Sequence, residues 1–268
     1  MNWLLASGSP EISIGPDVLG HAGPIPITNT MVLGVFGTAL LFIWLLFSIR
    51  AIKRGSRSRN TYLLLWIFES LYDTTVQVIG NKKIAKKIVP LAVTIVFFFT
   101  INNWLELLPI LNAVTYNGHS LVRGVAADLN TTLALALISV FTAQVWAIRR
   151  RGLLGNLHRY FSNPFKSFSH FFEGILEFIA EFSRTAALAL RMFGNIFGGE
   201  VLLGVMAYLT SYGAVVALPV FYVLEIFIGA VQAYVFYMLT IVFISLGLPS
   251  AEPEAEPAVV TRGERQKA

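Results

Sequence analysis

The sequence predicts an all-α integral membrane protein: five membrane-crossing helices, the last two forming a long, strongly tilted hairpin, and one interfacial amphipathic helix. Composition, long uncharged runs and the position of the basic residues carry this prediction. Of the 268 residues, 56% are hydrophobic and only 13% charged, against roughly 45–50% and about 25% in a soluble domain. So little charge leaves a water-soluble globule of this size without enough polar surface. Runs such as Met31–Ile49 hold no charge at all, and about 20 apolar residues cross a bilayer as a helix.

Each element follows in order. Residues 1–30 are Gly/Pro-punctuated, mildly acidic through Glu11 and Asp17, and free of Lys and Arg. They read as an outer arm rather than a signal peptide, which needs a basic start. Residues 31–249 form one membrane domain. Met31–Ile49 is its first span and ends in a basic loop. Residues 62–79 are apolar but carry Glu69 and Asp73 four apart, on one helical face, and basic loops flank the segment at both ends. Two basic loops belong on one side of the membrane, so 62–79 is read as a helix lying in the interface. Pro90 suits a first helical turn, and Val89–Leu108 then spans, interrupted by Asn102, Asn103 and Glu106. Asn130–Ala147 is the third span and stops at Arg149, Arg150 and Arg151. An interfacial stretch containing Asn163-Pro164 leads to the hairpin of residues 170–248, each arm too long for a perpendicular crossing. The Glu/Pro-rich tail, 250–268, reads as disordered.

Orientation follows from the charges. With the N-terminus outside, 17 of the 20 Lys and Arg residues fall on the cytoplasmic side, Arg123 lies outside, and Arg184 and Arg191 lie within membrane segments. Inverting the chain puts all 17 on the wrong face. The C-terminus is then cytoplasmic, and a bacterial inner membrane is the expected location.

Arg191 demands an explanation, since an arginine within a membrane helix costs about 2.5–3.5 kcal/mol on insertion scales. A structural ion pair with Glu200 or Glu225 is the plain reading. Folding the hairpin about Thr210–Tyr212 offers another. It brings Arg191 level with Gln232 and Glu200 near Tyr222–Glu225, with Glu200 ~13 Å outward of Arg191 at ~1.5 Å per residue. The acids then cluster on the outer side, and the guanidinium is left for a group from another chain. Asn195 shares its face. The small residues that thin both helices suit close packing or a water path equally. Asn102, Asn103, Glu106 and Asp128 are candidates for an outer vestibule, although interhelical hydrogen bonding and helix capping explain them as readily.

Several function classes drop out. With no cysteine there is no disulfide framework, thiolate nucleophile or cysteine metal site. The four histidines lack metal-ligand spacing, and no phosphate-binding Gly-rich loop, GxSxG or HExxH occurs. The chain is read as non-catalytic, without cofactor or metal.

At Leu188–Leu203, LALRMFGNIFGGEVLL, and Leu224–Gly247, LEIFIGAVQAYVFYMLTIVFISLG, the sequence resembles subunit a of the rotary F-type ATP synthases. The likeness extends to Asn102–Pro109 and to Asp128-x-Asn130. It implies a stator subunit beside a ring of c subunits, with the subunit b peripheral stalk and the remaining synthase subunits as partners. Two offset aqueous half-channels would carry protons to and from a carboxylate on each ring subunit. By matching position, Arg191 would be the essential arginine, with Asn195, Glu200 and Gln232 on the path. Glu225 stands where that family varies between histidine and acid. The rival reading is a self-contained transporter or channel with Arg191 binding an anion at the midplane. No repeat between the halves supports it, and no proline breaks residues 165–218.

Overall fold

The computed structural model describes residues 13–55, 58–108, 111, 114–116, 119–155, 168–210 and 213–248. The tail 250–268, most of the stretch around Asn163-Pro164, and the hairpin tip at 211–212 lie outside the described residues. A two-stranded hairpin, β1 (Val18–Ala22) and β2 (Ile25–Thr28), precedes six long helices: α1 (Asn29–Lys53), α2 (Arg59–Ile79), α3 (Lys82–Glu106), α4 (Leu129–Arg151), α5 (Phe168–Thr210) and α6 (Ala214–Gly247). Five of these are long and apolar enough to cross a membrane: α1, α3, α4, α5 and α6. The segment before α1 therefore contains β structure that the sequence pattern did not announce. A second hairpin, β3 (Thr115–Tyr116) and β4 (His119–Ser120), and a 3-10 turn at Val125–Ala127 join α3 to α4.

Local chemistry sets the helix ends. Thr28 accepts from the Met31 amide, Asn81 from those of Lys83 and Ile84, and Asp128 from that of Asn130. Each side chain satisfies amides that have no intrahelical acceptor. Gly80 ends α2 at φ 72°, a left-handed conformation that suits glycine.

Pro90 is not at a first turn; α3 starts at Lys82 and carries the proline inside it. The Asn81 cap fixes the earlier start, and the buried Ile84, Ala85, Ile88 and Val89 hold the added turns. Their packing outweighs the amide hydrogen bond that the proline ring forfeits.

α6 is the central helix, packed on α2, α3, α4 and α5, while α1 packs chiefly on α3. One core joins Leu71 and Ile79 of α2 to Ile84, Ile88 and Val89 of α3 and to Tyr237, Ile241 and Ile244 of α6. The next joins Ile95 and Phe99 to Leu188, Met192, Ile196 and Phe236, with the Phe99 and Phe236 rings 5.1 Å apart. The fully buried Tyr237 hydroxyl donates to the Leu71 carbonyl at 2.5 Å and bonds the Thr75 hydroxyl at 2.8 Å, tying α2 to α6. Large apolar side chains such as Phe47, Phe141 and Phe182 remain exposed on the outside of the bundle. With backbone groups satisfied inside helices, that is the surface a hydrocarbon solvent requires. At ~1.5 Å per residue, α5 and α6 are each well over the ~30 Å of a bilayer core.

Candidate functional site

The α5 face holding Leu188, Ala189, Met192 and Ile196 is buried against the core. That packing turns the intervening Arg191 outward, where its side chain is exposed. It makes no hydrogen bond or ion pair among the described residues. One turn on, the Asn195 amide donates to Gln232 Oε1 at 2.6 Å. Gln232 is buried, and its own Nε2 has no partner. Among the described residues the arginine thus pairs with no carboxylate.

The carboxylates gather further along the hairpin. Arg123, buried in the α3–α4 connection, directs Nε and Nη2 to one oxygen of Glu200, each at 3.1 Å. Its Nη1 and Nη2 also donate to the Gly15 and Ser13 carbonyls, at 2.5 and 2.7 Å. Glu225, 6% exposed, lies with its carboxylate against the Cα of Gly199, where any side chain would collide with it. Glu106 does the same against Gly124, within electrostatic reach of Glu200, Glu225 and Arg123. The site therefore holds three carboxylates and one guanidinium. The Glu200 partner is Arg123, not Arg191.

The other vestibule candidates divide. Asn103 on α3 is buried, packs against Gly229 of α6, and leaves both ends of its amide without partners. It lies between the acids and Gln232. Asn102 points instead toward Gly37 of α1 and donates to the Phe98 carbonyl at 2.8 Å. Asp128 caps α4 and accepts from Thr30 and Thr131, each at 3.4 Å.

A smaller polar group lies between α4, α5 and α6. The Gln144 amide donates to Glu181, and Arg184 pairs with Glu177 at 3.4 Å. Gln144, Glu181 and Arg184 line a cavity of about 20 Å³, room for a single water.

Sequence reasoning assigned no role to Arg123 beyond the count of outside charges. The segment Val122–Asp128 is continuously buried, which is unusual for a connection, and its 3-10 turn packs on α1, α3 and α5. The available signal was that Arg123 is the one basic residue placed on the side opposite all the basic loops.

Five candidate spans, with an arginine unpaired among the described residues and a carboxylate cluster drawn from α3, α5 and α6, define an integral membrane protein of the ion-translocating type. Residues 30–245 match the family model described as ATP synthase A chain. Proteins called ATP synthase subunit a are similar to the chain along much of its length. That of Desulforamulus reducens is 32% identical over 225 residues, covering 82% of this chain and 78% of the relative. That of Macrococcus caseolyticus is 33% identical over 85% of this chain and 93% of its own. The Limosilactobacillus fermentum protein reaches 40% over 137 residues, 48% of this chain and 56% of its own. The chain belongs to the ATP synthase A chain family.

Proposed function

We propose that this chain is the stator subunit that carries protons through the membrane sector of a bacterial F-type ATP synthase, coupling their flow to rotation of the c-subunit ring. The observation that carries the reading is the exposed Arg191, a charge within a candidate spanning helix that has no counter-ion among the described residues. A cation so placed needs an external anion. A row of carboxylates on a neighbouring rotor supplies one.

The mechanism follows from this geometry. A rotor carboxylate facing lipid must be protonated, because an ionised acid there is too costly. Beside Arg191 it can ionise, since a nearby cation favours the charged form. A guanidinium keeps its charge at physiological pH, so Arg191 passes no proton and separates two half-channels. Protons enter from outside at the cluster of Glu106, Glu200 and Glu225. The unpartnered amides of Asn103 and Gln232 mark positions for ordered water between that cluster and the Asn195–Gln232 pair. A proton loaded there rides the ring before leaving on the cytoplasmic side. Each charge crossing ~100 mV supplies roughly 2.3 kcal/mol.

The c ring, the subunit b stalk and the remaining synthase subunits are the partners of this reading. The N-terminus is outside, the C-terminus cytoplasmic, and α2 lies in the interface. The basic loops support that orientation. Reconstitution separates this function from a self-contained transporter. The chain alone in vesicles should conduct few protons and the assembled complex many; solute transport by the chain unaided would overturn the assignment.

A further inference from the structure

We propose that Arg123 is a positioning residue for proton entry: its guanidinium fastens the N-terminal arm to Glu200 and so fixes that carboxylate at the outer mouth of the path. The proposal rests on reading the outer acidic cluster as the entry. Arg123 is 8% exposed, and its donors divide between two acceptor sets that are far apart in sequence. Nε and one Nη2 bond reach Glu200 on α5, while Nη1 and the other Nη2 bond reach the main chain at Gly15 and Ser13. The planar fork is what permits this; an ammonium is a compact point charge on a flexible stem.

Both ends of the strap are anchored. Asn29 at the start of α1 donates its amide N–H to the Asp17 carbonyl at 3.1 Å, and its Oδ1 accepts from the Asp17 amide at 3.2 Å. On the other side, the Arg123 carbon Cζ stands 5.9 Å from the centre of the Phe197 ring on α5, within cation–π range. The charged groups around the guanidinium are Glu200 from α5, Glu106 from α3 and, within reach of Glu200, Asp17 from the arm. Arg123 is thus the cation of a predominantly acidic mouth, and its removal both frees Glu200 and leaves the acids uncompensated.

The test measures proton flux through the assembled membrane sector in vesicles as a function of pH on the outer side, normalised to the amount of complex. Arg123→Ala should slow flux severalfold and displace the midpoint of its pH profile, because the cation that holds and faces Glu200 is gone. Arg123→Lys, which keeps the charge and guards against a failure of assembly, should hold the midpoint closer to the original yet still lower the rate. A normalised Arg123→Ala profile superimposed on the original, or an Arg123→Lys complex equal to it in rate and profile, overturns the proposal. A Glu225→Gln complex run in parallel protects the distinction. If it retains full flux, the underlying assignment fails; if it loses flux while Arg123 variants are unaltered, only the role of Arg123 fails.

Discussion

Gly199→Ala separates the requirements of the helix from those of the path. Position 199 lies inside α5, and alanine is favoured there over glycine by roughly 0.5–1 kcal/mol. On helix stability alone the substitution is neutral or helpful. The added methyl, however, lands on the Glu225 carboxylate, well inside contact distance. Because that carboxylate ends a flexible side chain, it swings away, and the backbone stays. Moving the end of a flexible side chain costs the fold little, but a path group misplaced by about 1 Å costs on the order of 100-fold in rate. Proton flux should fall by roughly that factor. The assay is acid-pulse proton uptake into vesicles holding the assembled complex, with thermal stability of the purified complex read alongside. Unchanged or raised stability with reduced uptake is expected. Full uptake at normal stability would refute the placement of Glu225 on the path.

Other substitutions test the remaining contacts. Glu200→Gln and Glu225→Gln should each slow proton entry, and the double change should be non-additive because both carboxylates act on Glu106; strictly multiplicative losses in the same uptake assay would contradict this. Gln232→Leu removes the acceptor of the 2.6 Å Asn195 bond and should lower ATP-driven proton pumping at least tenfold without changing assembly, as seen by comparing pumping with complex yield. Tyr237→Phe deletes the buried hydroxyl that joins α6 to α2 and should cost about 1–3 kcal/mol. A lowered melting temperature with flux per complex maintained checks it.

Much of the site was legible because helices convert sequence spacing into depth. Counting outward from the hairpin tip set Glu200 beside Glu225, and Gly199 does lie against the Glu225 carboxylate. Deeper in, counting set Gln232 level with Arg191, whereas its bond is to Asn195. Arg123 was not legible as part of the site. Its contacts with Ser13, Gly15 and Glu200 join three distant segments through an irregular connection, and no periodicity encodes such a path. Pro90 misled for a related reason. Local preference favours proline at a helix start, but the buried residues on both sides of it fixed a longer helix.

In the proposed mechanism Arg191 faces a charge on a neighbouring chain, having no ion-pair partner among the described residues. Proton-driven ATP synthesis by vesicles carrying the intact complex with Arg191→Ala tests it most directly, with Arg191→Lys as companion. The account predicts assembled complexes in which the alanine variant makes no ATP and the lysine variant fails as well, a compact ammonium being no substitute for a planar guanidinium. Sustained synthesis by the alanine variant would contradict it.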